Sequence, residues 1–233
     1  MAAGTGRRAD GERPMAEESE RVPLSERARD AIRERVIDGR YPQGARVVER
    51  EVAEELRMSR VPVREALRGL VAEGLLELLP HSGVRVRRLD RTDVEHLYEV
   101  WEPLAIQASR LAARRVADAA PDEPLLLAGL RAALERAETA AADGEPGREV
   151  VANTAFHDGI VALSGNPLLA QTMARLSWQL RLLFGLNSEP DHMRVQHRAM
   201  YERIAAGDPD AAAALTLVHV RDSRVAALRA VSV

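Results

Sequence analysis

Residues 59–74 read SRVPVREALRGLVAEG, a segment with two chemically opposed faces. Val63, Ala66, Leu67 and Leu70 recur at helical spacing, while Arg60, Arg64 and Arg68 fall at intervals of four on a separate face. A helix of this kind buries one side and offers the other to an anion. Ser59 stands at the N-cap position, Pro62 falls in the first turn, where a missing N–H costs little, and Gly74 is placed as a C-terminal stop.

The flanking residues decide what the arginines are for. Upstream, Glu49–Leu56 predicts a second short helix with Val52, Ala53 and Leu56 inward, joined to Ser59 by Arg57 and Met58. That is helix-turn-helix spacing. Downstream, Leu75–Leu79, a turn at Pro80–Gly83 and Val84–Arg88 predict a hairpin with Val84 and Val86 on one face and Arg85 and Arg87 on the other. The hairpin is the wing of a winged helix. Ser25–Asp38 predicts an amphipathic helix with Ala28, Ile32 and Val36 inward, ended at Gly39, and Tyr41–Gly44 is the loop leading into the helix-turn-helix.

The run at positions 46–86, with its SRVPVREAL signature, resembles the DNA-binding domain of the GntR family of bacterial transcription regulators, FadR-type branch. The N-terminal end of the recognition helix then enters the major groove, where Arg60 and Arg64 reach base edges and pair most naturally with guanine. The resemblance further implies that Arg50 and Ser59 contact bases or phosphates and that His81 and Gly83, at the wing tip, approach the minor groove.

A chain of 233 residues has room for two domains. The expected division is a disordered tail at 1–20, a winged helix-turn-helix at 21–89 and an all-helical effector-binding and dimerisation domain at 90–233. Charge follows it: residues 21–90 carry 15 arginines against 12 acids, whereas 91–233 carry 15 against 19, so only the first domain is basic. Every one of the 33 basic residues is arginine, so each must be judged by placement rather than abundance. Cysteine is absent, which excludes disulfides and thiolate metal sites. No apolar run approaches the roughly 20 residues needed to span a bilayer, and the N-terminus lacks a signal peptide's apolar core. A soluble, cytoplasmic protein with no membrane partner is expected.

From Asp90 onward the sequence predicts helices alone, over Thr92–Ala117, Glu123–Ala142, Arg148–Leu163, Pro167–Leu186, Asp191–Ala206 and Pro209–Val231. Gly165-Asn166-Pro167 supplies a stop, an N-cap and an N1 proline, and Gly207-Asp208-Pro209 repeats the arrangement. The fold class is therefore mainly α: an N-terminal winged helix-turn-helix with a small β wing, followed by an all-α antiparallel bundle. Pro103 predicts a kink or break near Trp101.

Asn153 and His157, four apart, share a helix face, and His197 and His219 lie on the last two helices. On spacing alone a lone histidine is more often a satisfied or surface residue than a ligand. Positions 92–230, with phrases such as FHDGIVALSGNPLL and QHRAMYERIAAGD, are similar to the FCD effector domain of the same branch. Many members carry an Asp-x-x-x-His pair and two further histidines that bind a divalent metal. The resemblance makes His157, His197 and His219 the ligands, with Asn153 at the carboxylate position. An amide oxygen brings no charge, so zinc, nickel or manganese all remain open. Family members usually present an arginine where this chain has Trp101 and a glutamate about where it has Ala105. A more apolar effector pocket follows, with Arg175, Trp178, Gln179 and Arg181 of the fourth bundle helix joining Trp101 as replacement contacts.

The expected function is a regulator, a repressor, that binds a pseudo-palindromic double-stranded operator as a homodimer. Control comes from a small metabolite, a carboxylate among the options, and from the metal. No catalytic residues are assigned. One rival is a metal-dependent hydrolase using the three histidines around a zinc-bound water, against which stand the winged helix and the absence of a paired general base. The other is a DNA-binding protein whose effector domain is a ligand-free dimerisation scaffold, for which Trp101 and Asn153 are the arguable departures.

Overall fold

The apolar stripe Ala28, Ile32 and Val36 becomes the buried face of α1 (Leu24–Ile37), and Gly39 ends that helix in the left-handed region at φ +81°. A computed structural model describes residues 22–79, 83–120, 122–185 and 189–231. The tail at 1–20 and His81 lie outside the described residues. After α1 come β1 (Arg46–Val47), α2 (Glu49–Leu56), α3 (Arg60–Ala72), β2 (Leu76–Leu78) and β3 (Val84–Val86). The predicted hairpin gains a strand: β1 pairs antiparallel with β3, Val47 opposite Val84, so the order is β1-β3-β2 and β3 is central. Two residues are too few to display an alternation, which is why no strand is predicted at β1.

The turn between α2 and α3 is closed by Arg57 in the left-handed region, φ 53° and ψ 43°, and by a bond from the Met58 amide to the Ala53 carbonyl at 3.0 Å. Val63, Ala66, Leu67 and Leu70 of α3 are all buried. Its C-terminus is a Schellman stop, with the Leu75 amide donating to the Leu70 carbonyl and the Gly74 amide to the Val71 carbonyl, both at 2.9 Å. Ser59 occupies the N-cap position with extended backbone, but its side chain makes no capping hydrogen bond, contrary to the role the sequence predicts for it.

Gly74 has a second duty. It sits at φ +76°, and a Cβ there would come within 3.2 Å of the Trp178 ring in the bundle. Gly39 shares the backbone conformation, φ +81°, but has nothing within 4 Å. Gly39→Ala should therefore cost only the left-handed strain, about 1 kcal/mol, and Gly74→Ala measurably more. Equal unfolding free energies for the two variants in urea titration would deny the Trp178 contact any weight.

The bundle consists of α4 (Arg91–Ala117), α5 (Glu123–Ala142), α6 (Pro146–Leu163), α7 (Pro167–Phe184), α8 (Pro190–Ala205) and α9 (Pro209–Val231). Asp90 and Asp93 form a reciprocal capping box that fixes the start of α4, and Asn166 caps α7 through the amides of Leu168 and Leu169. α4 packs along α9, and α5 along α6. The predicted break at Pro103 does not occur: α4 runs uninterrupted through it, with the proline ring on the exposed side and Trp101 fully buried. Among the described residues no helix is long and apolar enough to cross a membrane.

Candidate nucleic-acid interface and metal centre

Arg60 and Arg64 project from the first two turns of α3, both exposed. Neither is free. Glu49, the first residue of α2, accepts from Arg64 Nε and Nη2 at 2.8 Å each and from Arg60 Nε at 3.2 Å. The Arg64 hydrogen bonds hold the Glu49 carboxyl below the usual carboxylate range. One carboxylate thus spaces two guanidinium forks along the exposed face of α3. Glu49 escapes sequence reading because an acid in the first turn of a helix is expected there for the helix dipole alone.

The other predicted contacts are dispersed around this centre. Arg50 is exposed, its Nε 4.0 Å from Glu54, and the Ser59 hydroxyl, released from capping, is exposed beside Arg60. Gly83 lies at the start of β3 with φ +90°, a conformation that favours glycine, and a Cβ there would stand 3.5 Å from Arg46 Nε.

Inside the bundle, α6, α8 and α9 bring His157, His197 and His219 together, one ring nitrogen of each lying within 4.8 Å of the others. His197 and His219 are 3 % and 2 % exposed, and their Nε2 atoms are 3.2 Å apart. Burial pushes the His157 ring down to about 4 and drives His197 and His219 well below the ordinary imidazole value, with repulsion among the rings adding to the effect. All three are neutral at pH 7 and keep a lone pair. The His219 tautomer follows from its surroundings: Nδ1 lies 3.0 Å from Gln196 Oε1, so Nδ1 donates and Nε2 is left bare toward the cluster. Gln196 is itself oriented by donating to Asp222 Oδ2 at 2.6 Å.

Three buried polar atoms in this region have no partner: Asn153 Oδ1 and His157 Nε2, one helical turn apart on α6, and the Trp101 indole N–H. An orphaned buried acceptor costs about 1–3 kcal/mol, and two beside a pair of facing imidazole nitrogens fit a bound cation. The three imidazoles therefore suit a divalent metal through three nitrogen donors. Gln196 and Asp222, which the sequence reading missed, supply the outer support that orients the His219 ring. The only signal was the placement of Gln196 next to His197.

The five expected effector residues do not share a pocket. Trp101 packs against Tyr98, His157 and Phe184 with ring centroids 5.3, 5.5 and 5.4 Å away. The crevice it lines has a volume of only about 10 Å³, and a second crevice on the α7 side of His157 has about 100 Å³. The more apolar pocket expected from the tryptophan is thus filled by the tryptophan itself. Arg175, Trp178 and Arg181 instead line a cavity of about 610 Å³ between α7 and the winged helix.

Comparison with known proteins agrees with both halves of this architecture. Residues 24–86 match the model of bacterial regulatory proteins, gntR family, and residues 96–222 match that of the FCD domain. The chain is 32% identical over 203 residues to the "Probable D-xylose utilization operon transcriptional repressor" of Paenarthrobacter nicotinovorans, covering 86% of this chain and 87% of that protein. It is 31% identical over 182 residues to the "Nta operon transcriptional regulator" of Aminobacter aminovorans, covering 78% of this chain and 83% of that protein. The solved structure of E. coli McbR/YncC superposes with a TM-score of 0.76 over 89% of this chain and 98% of that one, at 22% identity, a likeness of fold.

Proposed function

Because the chain belongs to the gntR family of bacterial regulatory proteins and carries an FCD effector domain, we propose that it is a homodimeric repressor that reads a pseudo-palindromic operator with α3. The division at about residue 89 separates the reading module from the controlling one. The observation that carries the proposal is the Glu49 carboxylate holding Arg60 and Arg64 as two exposed forks at the N-terminal end of α3. Guanidinium forks match the O6 and N7 acceptors of guanine in the major groove. Arg50, the Ser59 hydroxyl and the wing from His81 to Gly83 fix register on bases and backbone around them. One winged helix buries too little surface for strong specificity, so two copies on two half-sites supply it.

In the bundle, His157, His197, His219 and Asn153 would hold a divalent cation. A bound metal supplies a cross-link between three helices. The chain's own part is to keep three imidazoles neutral and aimed, the His219 ring through Gln196. A small molecule that favours one arrangement of the two winged helices then changes operator affinity by its differential binding to the two states. A cytoplasmic location suits this role.

Arg64→Ala is the decisive test. It should weaken binding to the cognate operator by roughly 1–3 kcal/mol, about 5- to 150-fold, in a fluorescence-anisotropy titration at fixed salt. Indistinguishable dissociation constants would remove Arg64 from the interface.

A further inference from the structure

The cavity of about 610 Å³ lies within the range of small-molecule sites, whereas the crevices beside His157, at about 10 and 100 Å³, are too small for a ringed ligand. Its walls come from both modules. α1 and the end of α3 contribute Arg33 and Glu73, and α7 contributes Arg175, Trp178, Arg181 and Leu182.

The charges in this cavity do not balance. Arg33 is satisfied by Glu73 at 2.7 Å. Arg181 stands 3.6 Å from Asp158, longer than a good hydrogen bond, and its Nε is closed to solvent with no acceptor. Arg175 is exposed and has no acidic partner among the described residues. Arg175, Trp178 and Arg181 follow at intervals of three, so one face of α7 sets an indole that is 8 % exposed between Arg175, which has no acidic partner among the described residues, and Arg181, held by the long pair with Asp158. An aromatic face takes a flat ring, and a guanidinium takes a carboxylate through two parallel hydrogen bonds.

We propose that this interdomain cavity binds an aromatic carboxylate, its ring on Trp178 and its acid group on Arg175 and Arg181. The inference rests on the reading of the chain as a ligand-controlled DNA binder and supplies the place of control. A ligand there touches both modules at once. It also lies against Trp178, whose ring meets Gly74 at the end of α3, so occupancy bears directly on the recognition helix.

The test is titration of the full-length protein with 2-naphthoate by calorimetry, with neutral 2-naphthalenemethanol as the control. Expected are one site per chain, preference for the acid, and binding at least about tenfold weaker in Arg175→Glu and in Arg181→Gln. Arg175 is exposed, so its variant should fold as the parent does. Binding equal in the variants and the parent, or equal for acid and alcohol, overturns the proposal. Operator titration of the same variants without naphthoate separates the two readings. Retained operator binding with arginine-independent naphthoate binding sinks the cavity alone, whereas arginine-dependent naphthoate binding by a parent that ignores operator DNA upholds the cavity and sinks the regulator.

Discussion

If the three histidines hold the proposed metal, replacing His197 with alanine is expected to abolish stoichiometric binding and with it the thermal stabilisation that zinc, nickel or manganese would confer on the parent chain. His197 and His219 face each other at 3.2 Å, and one ring nitrogen of His157 lies within 4.8 Å of both. Removing the middle donor leaves two imidazoles and a neutral amide. Metal present at 100 times its dissociation constant stabilises a folded protein by about 2.7 kcal/mol, and this increment should vanish in the variant. Elemental analysis and melting curves with and without EDTA measure it. Parental stoichiometry in His197→Ala would remove that residue from the site. Asn153→Asp should act in the opposite direction, adding the negative charge that the amide lacks.

Trp101→Ala carries the largest expected loss of stability, about 3–5 kcal/mol, because a fully buried indole at the meeting point of Tyr98, His157 and Phe184 leaves a hole that its neighbours cannot close. Trp101→Phe should cost much less. It keeps a ring in place and removes the indole N–H, which is buried without an acceptor. Urea unfolding of the three proteins decides the matter; a loss under about 1 kcal/mol for the alanine variant would mean that the ring is not structural. The space opened by Trp101→Ala lies directly beside His157, where the native crevice is only about 10 Å³.

The winged helix was legible because its segments obey single-period rules. Ala28, Ile32 and Val36 mark α1, and Gly74 marks the end of α3, since each helix buries one continuous stripe and each stop has its own chemistry. α7 resisted the same treatment. It is wedged between two bodies: Met173, Leu180 and Phe184 face the bundle crevice while Trp178 and Arg181 face the winged helix. Both faces carry apolar side chains and the second carries arginines as well, so spacing could not say which cavity Arg175, Trp178 and Arg181 line, while Trp101, on α4, meets α7 through Phe184 once the bundle is packed. The histidine trio was legible only through its family resemblance. Its outer support by Gln196 and Asp222 depends on packing between α8 and α9, which no periodicity encodes.

The Glu49 carboxylate has a consequence for how strongly this module should respond to ionic strength. Arg60, Arg64 and Glu49 together present a net charge of +1 to an approaching duplex rather than the +2 of two bare arginines. Counterions leave the DNA in proportion to the positive charge that replaces them, so this cluster displaces fewer than its arginine count suggests. Guanine instead meets the guanidinium N–H groups that Glu49 leaves open, so recognition rests on hydrogen bonds more than on released ions. Added salt will therefore weaken the protein's grip on arbitrary sequence more than its recognition of the correct one.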